Sequence, residues 1–335
     1  MQHTPRLAKR MTGITFGLLL LLCAVMALGM SMGSAEISVG KALRSLFGIG
    51  NTDPVLASII WEIRFPRVLL AALLGATLSL GGLVFQALLK NPLAEPYILG
   101  ISGGSAIGAI IGILMGLSRF PGVGLMAFMG SMITLLVVVL MSTGKTVMKQ
   151  DALLLSGVMV NAFCSAVIMF LISITQDARL HNILFWLMGD LSMTDLGEVG
   201  ILSLSVLPCF ILIFWLSNTM NLLLLGREMA HTMGVNTRVV TFALLVVTSF
   251  MVSATVCHCG LVGFVGLVMP HLLRLLLGPD HRVLVPACVL GGAAYMVACD
   301  LLARVLPEQG EMPAGVVTAL IGAPLFIYLL RRTRK

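Results

Sequence analysis

The chain has 335 residues, of which 59% are hydrophobic and only 10% are charged. Soluble domains carry about 25% charged residues, so this composition excludes a chain that folds as two water-soluble domains. The formal net charge of +7 comes mostly from the chain ends and from short loops, without a basic helical face, which argues against a nucleic-acid-binding protein.

Long apolar stretches with few charges recur along the chain, and a run of about 18 such residues is a candidate transmembrane helix. The first run follows a basic segment and lacks an evident small-residue cleavage site, so we interpret it as an uncleaved span. Charges and turn residues divide the rest of the sequence into nine more predicted spans. The ten predicted spans lie near residues 11–33, 67–89, 98–117, 122–142, 152–174, 196–217, 238–257, 261–277, 283–305 and 313–330.

These spans predict the fold class and the domain organisation. We expect an all-α, polytopic transmembrane protein with about ten helices. They form a single transmembrane domain over residues 1–335, and no stretch between them is long enough for a second, soluble domain. Glycine is abundant inside the spans, which favours close packing because small residues let membrane helices approach one another.

The distribution of Lys and Arg predicts the orientation of the chain in the membrane. Both ends carry basic clusters, and an even number of spans places both ends on the same side. With both termini in the cytoplasm, 14 of the 21 Lys and Arg residues lie on the inner side. This is the bias that basic residues show in membrane proteins, so we expect cytoplasmic termini.

Two connecting segments are longer than a simple turn requires. The outer segment 36–63 has Trp61 near its end, a pattern typical of a helix at the membrane surface. The inner segment, at about 218–238, contains the run from Leu222 to Gly234. Glycines interrupt this mixture of apolar and polar residues, a pattern that predicts one or two short amphipathic helices.

Seven cysteines lie mostly inside apolar runs, which favours buried thiols over a disulfide framework. Cys257-His258-Cys259 offers soft ligands to a metal ion, but adjacent residues on a helix point in different directions, so we do not expect a metal site. His258 is interpreted either as a contact for transported cargo, if it lies in a pore mouth, or as a buried histidine.

The sequence offers no site for ATP hydrolysis. Gly144-Lys145-Thr146 resembles the end of a phosphate-binding loop, but it lacks the earlier glycine and the strand–helix context. Scattered histidines form no catalytic cluster, so we expect a non-enzymatic chain without a cofactor.

Ordered sequence blocks from about residue 60 to the end carry a resemblance to one family. They are Arg64-Phe-Pro-Arg67, Asn91-Pro-Leu-Ala-Glu-Pro96, Trp186-Leu-Met-Gly189, the run Leu225–Gly234, Gly263-Phe-Val-Gly-Leu-Val-Met-Pro-His271, Asp280-His-Arg282, Asp300-Leu-Leu-Ala-Arg304 and Pro313-Ala-Gly-Val-Val-Thr318. Together they resemble the FecCD family, the permeases of bacterial importers for iron–siderophore chelates, haem and vitamin B12.

The resemblance implies a set of partners and a location. Permeases of this family have about ten helices per subunit, as in the vitamin B12 importer, and two subunits enclose the path. Two ATP-binding cassette ATPase subunits bind the cytoplasmic face, and a periplasmic binding protein delivers the cargo. The implied location is the bacterial inner membrane, and the implied second permease subunit is another copy of this chain.

The resemblance also implies roles for two groups of residues. Arg64, Arg67 and Arg304 would dock acidic residues of the binding protein, since a guanidinium group binds a carboxylate bidentately. The alternatives are contact with lipid headgroups or, for Arg304, an ion pair with Asp300.

The second group is the inner segment, which would couple the permease to the ATPase. Met229, Ala230 and Met233 would form its apolar face, with two charged residues at the rim and glycines at the turns. The group comprises Leu225, Gly226, Arg227, Glu228, Met229, Ala230, Met233 and Gly234.

The resulting prediction is a permease subunit that moves a metal chelate inward by alternating access, driven by separate ATPase subunits. Which chelate it carries is left open. The main alternative is an ion-gradient-driven secondary transporter of a hydrophobic metal chelate. That class usually has charged residues near the bilayer midplane or broken helices at matched positions. The middle of each predicted span lacks Asp, Glu, Lys and Arg.

Overall fold

The structure is a computed structural model that describes residues 4–32, 38–46, 54–142, 150–307 and 310–333. Helices and the turns between them account for these residues, which contain no β-strand, so the all-α expectation is confirmed. Eight helices in the described part of the chain are long and apolar enough to cross a membrane, and two more apolar helices are shorter.

The fifteen α-helices of the described residues are defined as follows. They are α1 Thr4–Ser31, α2 Val39–Leu46, α3 Pro54–Ser58, α4 Phe65–Leu88, α5 Ile101–Leu114, α6 Gly124–Ser142, α7 Gln150–Ser173, α8 Asp177–Met188, α9 Leu196–Trp215, α10 Ser217–Leu224, α11 Arg227–Thr232, α12 Thr237–Cys259, α13 Val265–Leu277, α14 His281–Val305 and α15 Ala314–Thr333. The ten predicted spans correspond to α1, α4–α7, α9 and α12–α15.

The outer segments differ from the prediction in two places. Trp61 does not lie on a separate surface helix but in a π-helical turn, Ile59–Arg64, that joins α3 directly to α4. Helix α8 was not predicted, because four polar residues in its first half interrupt the apolar pattern. It ends at Gly189, whose φ of 80° lies in the left-handed region that glycine adopts readily.

Helix α4 is the centre of the molecule, and glycine lets two helices reach its backbone. A Cβ atom placed on Gly75 would lie 2.1 Å from the carbonyl oxygen of Gly292 in α14. A Cβ atom on Gly82 would lie 1.7 Å from the carbonyl oxygen of Gly266 in α13. Any larger side chain would push these helices apart, so the interpretation of these glycines as packing residues is supported.

Helices α5 and α13 have 14 and 13 residues and are shorter than the other spans, and each follows an irregular segment. The two segments contact each other beside the middle of α4. The hydroxyl oxygen of Tyr97 accepts from the backbone N–H of Val262 at 3.3 Å. The carboxylate of Glu95 accepts from the backbone N–H of Phe264 at 3.1 Å and so caps the start of α13.

The short helices also reveal an order that the sequence did not show. In the series α4–α7 and in the series α12–α15, the second helix is the short one. Five predicted spans separate the start of one series from the start of the other, so the two series cross the membrane in opposite directions. No convincing sign of such an inverted arrangement is visible in the sequence.

Candidate functional site

The end of the molecule that the predicted topology places outside, called its outer end below, holds a cluster of charged side chains from α4, α14 and the segment before α15. The Nε atom of Arg67 lies 2.9 Å from Asp300, and its Nη1 atom contacts Glu311. The Nε atom of Arg304 lies 3.1 Å from the other oxygen of Asp300. Asp300 and Arg304 are four residues apart on α14, which places them on the same helix face.

Arg64 and Arg304 also donate to backbone carbonyl groups at the end of α1. Arg64 contacts the carbonyl oxygens of Met30 and Ser31 at 2.8 and 2.9 Å. Arg304 contacts that of Gly29 at 3.0 Å. The cluster therefore joins α1, α4 and α14 at their outer ends.

The three arginines expected to dock the binding protein are buried in this chain, and their docking role stays a prediction. Arg64 and Arg67 are 5% exposed and Arg304 is 8% exposed, and each binds groups of this same chain. The alternative pairing of Arg304 with Asp300 is present. Glu311, whose side chain is 44% exposed, covers Arg67 from the outer side.

The inner segment forms two short helices joined by glycine, as predicted. Helix α10 ends before Gly226, which has a φ of 115°, and α11 ends before Gly234, which has a φ of 83°. Both angles lie in the left-handed region, where a side chain is unfavourable. The glycines therefore produce the two turns that hold α11 away from the adjoining helices.

The exposed side of this segment is apolar, but the expected residue Ala230 is not part of it. Leu225, Met229 and Met233 are between 55% and 63% exposed, and Glu228 lies beside them at the surface. Ala230 is fully buried and faces back into the protein, so it is not part of the exposed face, and the coupling role of the segment stays a prediction. The side chain of Arg227 lies outside the described part of the structure.

Sequence reasoning missed Asn221, which links α10 to the start of α14. Its Nδ2 atom donates to Asp280 at 2.8 Å, and its Oδ1 atom accepts from the backbone N–H of His281 at 2.9 Å. Asp280 also caps α14 by accepting from the backbone N–H of Arg282 at 3.0 Å. A lone asparagine in an apolar run gives no signal of its own.

The charge on Asp280 is stabilised mainly by its neighbour. Hydrogen bonds from the Arg282 guanidinium, and then from the Arg282 backbone and Asn221, lower the pKa of Asp280 from 3.8 to about 2. A lowered carboxyl pKa stabilises the folded state above the unfolded pKa. That contribution disappears only as the pH falls from about 4 to about 2, so the contact persists at cellular pH.

His258 lies at the outer end of α12 and is 9% exposed. Its ring stacks on Phe120 with centroids 4.5 Å apart, and Nδ1 lies 4.0 Å from Glu198. The burial fits the buried-histidine interpretation, while cargo contact stays a prediction. Within the described ranges, no three His, Cys, Asp or Glu side chains are grouped so that they could hold a metal ion.

An open groove of about 570 Å³ runs beside the irregular segments and the outer half of α15. Its lining is mainly apolar and includes Phe264, Met188, Leu320 and the hydroxyl-bearing Tyr97 and Ser102. Phe264 has a φ of 68°, unusual for a bulky residue, and it packs toward Gly322 of α15. The groove is a surface along which a bulky, largely apolar molecule could move without strong binding.

Comparison with known proteins gives consistent matches over nearly the whole chain. The model of the FecCD transport family matches residues 19–332. The vitamin B12 import system permease protein BtuC of Klebsiella pneumoniae is 37% identical, covering 95% of this chain and 93% of that protein. The hemin transport system permease protein HmuU of Yersinia pestis is 38% identical, covering 96% of each.

A solved structure shares the same architecture. It shows an inward-facing ABC transporter assigned to the metal-chelate type, with a TM-score of 0.86, 33% identity, and coverage of 96% of this chain and 99% of the other. The family match spans all ten predicted spans except the first part of α1. The chain belongs to the FecCD transport family.

Proposed function

We propose that the protein is the permease subunit of an ABC importer that moves a bulky metal chelate or corrinoid across the bacterial inner membrane. The observation that carries this proposal is the family match over residues 19–332. The helical architecture supports it, because ten membrane helices with an apolar groove provide a path but no means of using ATP.

The inner segment supports a partnership with two ATP-binding cassette subunits. Leu225, Met229 and Met233 present an exposed apolar face on a predicted cytoplasmic loop, where lipid would not cover it. Such a patch marks an interaction site. The ATPase would grip this face, and closure of the ATPase pair would shift the helices that continue from it.

The other proposed partners are a periplasmic binding protein on the outer side and a second copy of this chain. Docking by Arg64, Arg67 and Arg304 stays a prediction, and the burial of these residues adds a condition to it. A partner carboxylate reaches Arg67 only if Glu311 moves aside. Cytoplasmic termini, a single domain over residues 1–335 and the homodimer belong to the same proposal.

The ion-gradient alternative is favoured by one specific observation. Broken helices at matched positions in two inverted halves are typical of secondary transporters, and the segments before α5 and α13 have this arrangement. The ABC proposal is preferred, because the match to this chain covers 93% of the BtuC protein and 96% of the HmuU protein.

Uptake into cells tests the function and selects the cargo. Radiolabelled vitamin B12, haem and a ferric siderophore would be supplied to a strain that lacks its own permeases and carries this chain with its ATPase and binding protein. We expect uptake of one cargo, abolished when the Walker lysine of the ATPase is replaced by alanine. Uptake that persists in that variant would contradict the proposal.

A further inference from the structure

We propose that Asn221 is a positioning residue through which the ATPase-facing segment moves α4 and α14 as one unit. This inference deepens the proposed function and rests on it. The inner segment is expected to receive the force from the ATPase. That force moves the membrane helices only through contacts that resist sliding. Asn221 supplies a directional contact of this kind.

The orientation of the Asn221 amide follows from its partners. The backbone N–H of His281 can only donate, so the atom 2.9 Å from it must be the amide oxygen. The amide nitrogen then faces the Asp280 carboxylate at 2.8 Å, where it donates. One side chain thus holds two consecutive residues at the start of α14 by a donor and an acceptor together.

Apolar side chains also hold α10 in place. Met220 is fully buried and Leu223 is 7% exposed, and α10 packs against α14 and α4. Apolar contacts are non-directional and tolerate small shifts along a helix. The hydrogen bonds of the Asn221 side chain fix both the distance and the register between α10 and α14. They therefore transmit a displacement that the apolar contacts would not.

Helix α14 carries the displacement to the other side of the membrane. Its 25 residues span about 37 Å at 1.5 Å per residue. It contacts the α4 backbone at Gly75, and at its outer end Asp300 holds Arg67 of α4. Helices α4 and α14 are therefore fastened at mid-length and at the outer end, so a pull at Asp280 reaches the outer charged cluster.

The test measures cargo moved per ATP hydrolysed in liposomes that contain the complete importer, using the cargo selected by the uptake experiment. The variant Asn221→Leu keeps the side-chain volume and removes the contacts to Asp280 and to the backbone N–H of His281, together with the 2.8 Å contact to the His281 ring Nδ1. We expect the ATPase to remain bound and ATP hydrolysis to continue, while cargo per ATP falls by roughly tenfold, a typical size for coupling between sites. A purely structural defect would lower protein yield and both rates together.

Two matched variants control for other effects. Asn218→Leu makes the same change at an exposed position on α10 and should leave cargo per ATP unchanged. Asn221→Asp keeps the size but faces Asp280 with a like charge, so it should repeat the loss if Asn221→Leu folds poorly. Equal cargo per ATP in the Asn221 variants and the Asn218 variant would overturn the inference.

A third variant separates this inference from the function on which it rests. Met229→Glu places a charge on the exposed face of the coupling segment and should release the ATPase from the purified complex. Loss of the ATPase in Met229→Glu, with normal cargo per ATP in the Asn221 variants, would overturn only the inference. Retention of the ATPase with full coupling in Met229→Glu would contradict the proposed role of the segment itself.

Discussion

Arg67 contacts two carboxylates that differ in their surroundings. Asp300 is fully buried and lies between Arg67 and Arg304, whereas Glu311 is 44% exposed. A buried charge that loses its partner is strongly unfavourable, because neither water nor a counter-charge compensates it. The two acids should therefore respond very differently to neutralisation.

Replacing Asp300 with Asn should destabilise the protein markedly. Two buried guanidinium groups would lose their shared carboxylate, and breaking a buried pair costs about 3–5 kcal/mol. Glu311→Gln should cost less than about 1 kcal/mol, as for exposed pairs. Thermal unfolding of the purified variants in detergent measures both effects, and an equal decrease in the two variants would be inconsistent with the buried cluster.

Glu311→Gln should also strengthen docking of the binding protein several-fold at low salt, if Arg67 is the docking residue. Neutralising Glu311 weakens its contact with Arg67, so that a partner carboxylate displaces it more readily. The matched control is Glu62→Gln, which removes the same charge beside Ser58 and away from Arg67. Binding affinities that change equally in both variants would show a general charge effect and contradict docking at Arg67.

At this scale the sequence indicated important residues but not their contacts. Arg67 and Arg304 stood out because outer arginines oppose the usual charge bias. The pairing of Arg304 with Asp300, four residues away, was among the alternatives. The partners of Arg67 could not be deduced, since Asp300 and Glu311 lie 233 and 244 residues from it along the chain. Asn221 gave no signal for the same reason.

At the scale of helices, close backbone contacts with α4 determine how α13 and α14 are placed. Gly82→Ala should destabilise the protein, because the new Cβ atom would overlap the backbone of Gly266. Overpacking typically costs 1–3 kcal/mol or more. Gly17→Ala in α1, where no atom lies within 4 Å of the new Cβ, should be neutral or slightly stabilising.

The folded yield and the thermal unfolding temperature of these two glycine variants test the contact. A decrease confined to Gly82→Ala is the expected outcome. If both variants behave like the unmodified protein, α4 and α13 do not touch at this point. The placement of the short helix α13 against α4 is then incorrect.

The positions of the long helices were predictable, because lipid requires a minimum apolar length. The limits at which α5 and α13 begin were not, since an apolar run does not show which of its residues starts the helix. Those limits depend on Glu95 and Tyr97, which satisfy backbone groups of the second irregular segment. Helix α8 was missed because its polar first half conceals its helical pattern.

For the whole molecule, the outer charged cluster, the central α4–α14 contact and the inner Asn221 contact lie along one pair of helices. This arrangement is the route by which, in the proposed mechanism, an event at a cytoplasmic ATPase changes the outer face of the permease. Under the proposed function few charged residues are needed inside the membrane, because separate ATPase subunits supply the energy.

Transport by purified components in liposomes tests the proposed dependence on separate ATPase subunits most directly. The chain alone would be given a proton or sodium gradient, and the complete importer would be given ATP. We predict cargo accumulation only in the complete importer, and none when the Walker lysine of the ATPase is replaced. Accumulation by the chain alone, driven by an ion gradient, would contradict the account.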